Sequence, residues 1–169
     1  MDNIILIGFM GSGKSSIGKF LQKRYGYTLI DTDDYIEKQQ NRSINDIFAT
    51  DGEEYFRNLE TECIKELINK SEKGFVIAVG GGLPMRSENQ TLLKTLGKVV
   101  YLRATEDTLV DRLTGDSKRP LLKGGDLRTK IKDLFARREA TYMSLADVVV
   151  DTDDCSYETV YNSIKEKFS

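Results

Sequence analysis

The chain has 169 residues, enough for one hydrophobic core, and we expect residues 1–169 to form a single domain. Its formal net charge of -2 argues against a general binder of nucleic acid or of membrane surfaces, so we expect no nucleic-acid partner, no membrane partner, and instead a small anionic ligand. The chain contains no histidine, which excludes the usual serine and cysteine hydrolase sites, because these depend on imidazole.

Five short runs rich in β-branched and apolar residues alternate with segments of helical periodicity. They lie at residues 3–7, 27–30, 75–79, 98–102 and 148–150. Strands that alternate with helical segments in this way are typical of a parallel sheet joined by crossover helices. The sequence therefore predicts an α/β sandwich.

The segment GFMGSGKS, residues 8–15, follows the first predicted strand and precedes a helical pattern. Its glycines let successive backbone N–H groups converge on nucleotide phosphates. Lys14 adds a mobile positive charge, Ser15 offers a hydroxyl to Mg²⁺, and the helix directs its positive end at the same anion. A plain glycine turn would not require a Lys–Ser pair directly after the last glycine. We interpret this segment as a phosphate-binding loop.

Three carboxylates, Asp31, Asp33 and Asp34, follow the second predicted strand. In a parallel sheet this position faces the ligand-binding crevice. Asp33 or Asp34 would serve structurally as the cap of the next helix. Beside a phosphate loop, one carboxylate can hold Mg²⁺ through water and another can accept the proton of an acceptor hydroxyl. These two roles suit Asp31 and Asp33.

A helix is predicted to begin at Asp51 and to end near Asn69, and it carries Arg57 three residues before Glu60. On its own this pair is typical of an exposed ion pair. The third predicted strand ends in three consecutive glycines at positions 80 to 82, which would let a ligand approach the backbone closely.

A polar, glycine-rich segment at about residues 112–125 is predicted to be a mobile lid. Its positive side chains are Arg112, Lys118, Arg119 and Lys123. They would be ordinary solvated charges unless an anion lies beneath them. Arg138, on the following helix, is equally ambiguous when taken alone.

The two cysteines, Cys63 and Cys155, are predicted to be reduced thiols that fill the core of a cytoplasmic protein. The last helix presents an apolar stripe that we also predict to be core. The stripe consists of Tyr157, Val160, Tyr161, Ile164 and Phe168. The final predicted strand, residues 148–150, is interpreted as buried rather than as a magnesium-binding strand.

In chain order, the motifs GFMGSGKS, DTDD, FRNLE, GGG, KRPLL and REATY resemble shikimate kinase across nearly the whole chain. The resemblance implies the nucleoside monophosphate kinase fold, a five-stranded parallel sheet of order 2-3-1-4-5 with helices on both faces. It implies ATP and shikimate as substrates, Mg²⁺ as cofactor, and transfer of the γ-phosphoryl group to the 3-hydroxyl in aromatic amino-acid biosynthesis. We expect a monomer, with shikimate bound by about residues 31–61.

The same resemblance implies a role for each matching residue. Lys14 would bind the β and γ phosphates, Asp31 would approach the metal through water, and Asp33 would contact the acceptor hydroxyl. Arg57, steadied by Glu60, and Arg138 would hold the acceptor carboxylate. The residues implied are Asp33, Lys14 and Arg119 for catalysis; Gly11, Ser12, Gly13, Lys14, Ser15, Ser16, Arg112 and Arg119 for ATP; Asp33, Arg57, Gly80, Gly81, Gly82 and Arg138 for shikimate; and Ser15 and Asp31 for the metal.

In that family the loop after the last strand lies against the adenine, where Arg112 would also stack. Here this loop reads DTDDCS, which is unusually acidic for a nucleotide contact. The sequence does not predict which of its residues would touch the base.

Two other functions share some of these sequence features. A nucleotide-dependent switch protein is suggested only by residues 69–72, NKSE, which resemble a guanine-reading motif but end a helix and carry Glu in place of Asp. A second small-molecule kinase, such as a gluconate kinase, would share the phosphate loop and the lid. The DTDD carboxylates suit any polyhydroxylated acceptor, so only the family resemblance favours shikimate over gluconate.

Overall fold

The computed structural model describes residues 2–70, 72–114, 125–153 and 155–168. The strands are β1 (Ile4–Ile7), β2 (Thr28–Asp31), β3 (Phe75–Ala78), β4 (Lys98–Arg103) and β5 (Val148–Asp151). The helices are α1 (Lys14–Tyr25), α2 (Thr32–Gln40), α3 (Ile44–Lys70), α4 (Ser87–Leu96), α5 (Glu106–Leu113), α6 (Leu127–Leu145) and α7 (Tyr157–Phe168), with a short 3₁₀ helix at Leu83–Met85. All five predicted strands are confirmed.

The five strands form one parallel sheet in the order β2-β3-β1-β4-β5, which confirms the predicted fold class and strand order. The central strand β1 is covered on both faces. Ile5 and Ile7 pack into a cluster with residues of α2, α3, α4 and α6, whereas Ile4 and Leu6 pack with residues of α1 and α7. Burial on both faces explains why these strands are continuous apolar runs rather than alternating patterns.

Helix α3 differs from the prediction at its start. It begins at Ile44 rather than at Asp51, and non-helical angles at Gly52 (φ 85, ψ 173) break it into two parts. The positive φ is one that glycine adopts without strain. The Asp51 carboxylate lies 2.5 Å from Arg42 in an ion pair. The end of the helix at Lys70 agrees with the predicted end.

The predicted core is confirmed except near the end of the chain, where Phe168 is half-buried and two other residues are exposed. Cys63 is buried, as are Val160, Tyr161 and Ile164 of the last helix. Cys155 is exposed, and Tyr157 is 47% exposed, because both lie where the chain leaves β5 at the rim of a cleft. Within the described ranges, none of the helices combines the length and the apolar character needed to cross a bilayer.

Candidate active site

A cleft of about 760 Å³ opens at the carboxyl ends of the strands. This is the edge at which ligands bind in open α/β sheets, where the strand order reverses. The cleft is lined by Gly11, Ser12, Gly13, Lys14, Ser15, Ser16, Asp31, Asp33, Arg57, Gly80, Gly81, Gly82, Arg112 and Arg138. Every predicted site residue within the described ranges therefore meets in one place. Arg119, with most of the predicted lid, lies outside the described residues.

The phosphate loop turns directly into helix α1. Gly13 adopts a left-handed conformation with φ 101, and the helix begins at the next residue, Lys14. The first turn of α1 carries no acidic side chain of its own, and the positive end of the helix faces the cleft. The Lys14 ammonium donates hydrogen bonds to the carbonyls of Gly8 at 2.8 Å and Phe9 at 3.0 Å. A cation and a helix terminus thus converge on the loop, as the sequence predicted.

Ser15 and Asp31 lie side by side beneath this loop. The Ser15 hydroxyl donates a 2.6 Å hydrogen bond to Oδ2 of Asp31. The other oxygen, Oδ1, accepts hydrogen bonds from the backbone N–H groups of Asp33 at 3.0 Å and Asp34 at 3.3 Å. Asp31, rather than Asp33 or Asp34, is therefore the cap of α2. A hydroxyl beside a carboxylate is a pair of hard oxygen ligands, which fits Mg²⁺.

Arg57 and Glu60 form a buried pair on the opposite side of the cleft. Nη1 of Arg57 lies 2.7 Å from Oε1 of Glu60, whose side chain has no solvent exposure. Burial raises the pKa of the Glu60 carboxyl to about 7, although Arg57 opposes the shift and Asp33 adds to it. The pair is therefore not the exposed one that sequence alone suggests; Glu60 fixes Arg57 in place.

Arg138 is only 5% exposed, and it comes from α6 on the far side of the cleft. Its Nη1 atom has no hydrogen-bond partner among the described residues. Its guanidinium also lies 5.8 Å from the centre of the Phe9 ring. A buried donor without a partner is costly, and buried polar groups are normally satisfied. The arrangement suits an anion that enters the cleft.

The three glycines after β3 make room for these side chains. A Cβ atom on Gly80 would lie 2.9 Å from Oδ1 of Asp33 and 2.9 Å from Oε2 of Glu60. One on Gly81 would lie 2.9 Å from Nη1 of Arg138, and one on Gly82 would lie 2.6 Å from the Arg57 guanidinium. At each glycine, a functional group of the cleft occupies the space that a side chain would take. The run thus gathers two carboxylates and two guanidiniums around a single strand end.

The acidic loop after β5 has its described carboxylates engaged. Asp151 forms an ion pair with Arg103, with oxygens 2.6 Å from Nε and 3.1 Å from Nη2. Asp153 accepts a hydrogen bond from the backbone N–H of Thr105 at 3.2 Å. The Arg103 guanidinium thus offsets the charge of Asp151, whereas Asp153 keeps its charge and is held by a backbone group. Arg112 lies across from it and donates to the carbonyl of Gly11 at 2.9 Å.

Several contacts in and around the cleft were not predicted from the sequence. Glu53 contacts Arg57, and its position four residues earlier on a helix was an available signal. Arg103 and Asp151 end adjacent parallel strands in direct register, but a register cannot be read before the strand order is known. Ile44 and Phe48, which line the acceptor side, lie in the part of α3 that was not predicted as helix.

Known proteins resemble this chain along nearly its full length. The family model for shikimate kinase matches residues 10–169. A shikimate kinase from Francisella tularensis subsp. holarctica is 45% identical over 162 residues, which cover 96% of this chain and 92% of that protein. The structure of a shikimate kinase from Acinetobacter baumannii in complex with shikimate has a TM-score of 0.93 and 33% identity, covering 99% of this chain and 93% of the other. A gluconokinase from Sinorhizobium meliloti, with a TM-score of 0.59 and 16% identity over 98% of this chain and 90% of the other, shares the fold alone.

Proposed function

The chain belongs to the shikimate kinase family, and we infer that it transfers the γ-phosphoryl group of ATP to the 3-hydroxyl group of shikimate. It is an ATP-dependent phosphotransferase with an alcohol acceptor. One observation carries the assignment of this reaction to the cleft: the Arg57 and Arg138 guanidiniums flank the glycine run beside Asp33, opposite the phosphate loop. A small ring acid with several hydroxyls matches these charges, because its carboxylate can pair with the guanidiniums and a hydroxyl can face Asp33.

On the donor side, the phosphate loop and the start of α1 bind the β and γ phosphates of ATP. Lys14, which donates to two loop carbonyls, offers its ammonium to the same phosphates. Ser15 and Asp31 hold Mg²⁺, with Asp31 acting through water. When bound there, Mg²⁺ neutralises the charge on the phosphoryl oxygens.

On the acceptor side, Arg57 and Arg138 hold the carboxylate of shikimate. Planar guanidiniums pair bidentately with carboxylates, so two of them orient the ring as well as bind it. With the acid end fixed, one hydroxyl faces the phosphate loop and Asp33. Asp33 aligns this hydroxyl and accepts its proton while the new O–P bond forms and the bond from the γ-phosphorus to the ADP oxygen breaks.

Arg112 and Arg119 complete the site around the nucleotide. Arg112 already contacts the phosphate loop through Gly11, and we assign it to the nucleotide. Arg119 lies outside the described residues, and we assign it to the transferring phosphoryl group from the family resemblance, because a guanidinium there would stabilise the charge of the transition state. One chain supplies all of these groups, so we propose that a monomer is the active form. The free cysteines Cys63 and Cys155 support a location in the cytoplasm.

The test is direct. The purified chain is incubated with Mg-ATP and one acceptor in each reaction. The acceptors are shikimate, quinate, gluconate and nucleoside monophosphates, and ADP release is compared with that in a reaction without acceptor. We expect rapid ADP release with shikimate and a phosphate on its 3-oxygen by ³¹P NMR. Faster turnover of gluconate or of a monophosphate would contradict the assignment.

A further inference from the structure

Glu53 occupies one edge of the Arg57 guanidinium. Its Oε2 atom accepts hydrogen bonds from Nε of Arg57 at 3.3 Å and from Nη2 at 3.1 Å. Glu60 accepts from the remaining nitrogen, Nη1, at 2.7 Å. All three guanidinium nitrogens therefore donate to carboxylates of this chain.

The two carboxylates on Arg57 differ sharply in their surroundings. Glu60 is fully buried, whereas the Glu53 side chain is 52% exposed. Removing Glu60 from Arg57 would leave a buried carboxylate without its cationic partner. Glu53 can rotate into water and lose little, because an exposed ion pair stabilises weakly. Of the two contacts, only the one with Glu53 can be exchanged.

The position of Glu53 in the chain favours such an exchange. It follows Gly52, whose angles (φ 85, ψ 173) break α3, so Glu53 begins the second part of the helix. It lies four residues before Arg57, and its side chain reaches the guanidinium along the helix surface. Its movement disrupts neither the core nor the Arg57–Glu60 pair.

We propose that Glu53 is an internal substitute for the acceptor carboxylate: it holds the outer edge of Arg57 and yields that edge to shikimate. The proposal rests on the proposed function of the cleft. An acid acceptor replaces Glu53 and keeps the guanidinium paired, whereas an uncharged acceptor leaves Glu53 in place and gains nothing from Arg57. Glu53 thereby lowers the affinity for acids and limits binding to acceptors that present a well-placed carboxylate.

The test compares Glu53→Gln with Glu54→Gln. Glu54 is the neighbouring residue on the same helix, is 84% exposed, and pairs with Arg86 at 2.6 Å instead of with Arg57. Both changes remove one negative charge and one exposed ion pair. We measure kcat and KM for shikimate and for its uncharged methyl ester, and the shikimate Kd by calorimetry.

Glu53→Gln is expected to lower the shikimate KM and Kd by about two- to fivefold, the range set by an exposed ion pair, with kcat unchanged. The KM for the methyl ester should not change, and Glu54→Gln should behave like the parent. An unchanged or higher shikimate KM in Glu53→Gln overturns the proposal, since a residue that merely positions Arg57 would give that result. Equal effects on both acceptors, or in both variants, also overturn it.

The result for the parent enzyme separates the two levels of inference. If the parent phosphorylates shikimate and Glu53→Gln has the same kcat and KM, the role proposed for Glu53 is wrong and the proposed function stands. A parent that does not phosphorylate shikimate removes both.

Discussion

The carboxylate of Asp31 links the Ser15 hydroxyl, 2.6 Å from Oδ2, to the first turn of α2, whose backbone N–H groups donate to Oδ1. A single side chain therefore shapes the proposed metal site and begins a helix. The two roles require different properties of the residue. The metal role needs negative charge, whereas the cap needs only an accepting oxygen.

Asp31→Asn separates these roles because Asn caps helices about as well as Asp. We expect the free energy of unfolding to change by less than about 1 kcal/mol. The Mg²⁺ concentration for half-maximal activity should rise by about 10- to 100-fold, as for other groups that act on a metal from its outer shell. Activity titrated with Mg²⁺ at fixed ATP checks this, and an unchanged titration would remove Asp31 from the metal site.

Asp33→Asn tests the alignment and proton transfer assigned to that residue. A general base contributes roughly 10²- to 10⁴-fold to the rate, so kcat should decrease by a factor of up to that size. The KM for ATP should stay the same. Asp34→Asn is the matched control, because Asp34 is adjacent and exposed. Steady-state kinetics with both substrates give the answer. Equal kcat values in Asp33→Asn and the parent would rule out a catalytic role.

Arg138→Met should separate substrate binding from stability. The loss of a charged hydrogen bond worth roughly 1.5–3 kcal/mol predicts a rise of about 10- to 100-fold in the shikimate KM. The thermal midpoint should stay equal or rise, because Nη1 of Arg138 is buried without a partner among the described residues. Arg137→Met, at the exposed neighbouring position, should alter neither quantity. A lower midpoint with an unchanged KM would make Arg138 a structural residue.

Gly82→Ala should displace Arg57 without disturbing the nucleotide. The backbone angles of Gly82 (φ -90, ψ -11) suit alanine, but the added Cβ would lie 2.6 Å from the guanidinium. We expect a higher shikimate KM and an unchanged ATP KM. Gly81→Ala should have the milder effect, since its Cβ would meet only the end of Arg138 at 2.9 Å. The reverse order of severity would show that Arg57 does not depend on Gly82.

Glu60 should make stability depend on pH. Its pKa is raised from the ordinary value of 4.5 to about 7 by burial, so the folded chain binds this proton more tightly than the unfolded chain does. The resulting stabilisation is complete below pH 4.5 and is lost as the pH rises through 7. Glu60→Gln lacks this titration. Urea unfolding of both proteins between pH 4.5 and about 7 measures the free energy of unfolding. The stability of the variant relative to the parent should increase as the pH rises, and a constant difference would contradict the shifted pKa.

The sheet was predictable because strands buried on both faces read as unbroken apolar runs, and the phosphate loop because its glycines, Lys14 and Ser15 have fixed spacing. The strand order came from family resemblance, since periodicity carries no information on which strands are neighbours. That Asp33, Arg57 and Arg138 line the same cleft likewise depends on contacts between distant parts of the chain. From the sequence, the positive φ of Gly52 could not be distinguished from an ordinary helix boundary near Asp51.

The errors at Cys155 and Tyr157 have a common cause. Cys155 was expected in the core from its residue type and Tyr157 from an apolar stripe, but both lie at the rim of the cleft, where the chain leaves β5. The contact of Asp153 could not be predicted from the sequence. Its carboxylate accepts a hydrogen bond from the backbone N–H of Thr105, and every residue except proline has such a group.

The central position of β1 separates the sheet into two flanks, which contribute different groups to the cleft. The groups that would hold the acceptor come from the β2–β3 flank and α3, together with Arg138 from α6, while the described groups assigned to the nucleotide follow β1 and β4. Grafting a different α2–α3 hairpin onto the same framework would thus be a rational route to kinases that phosphorylate new metabolites.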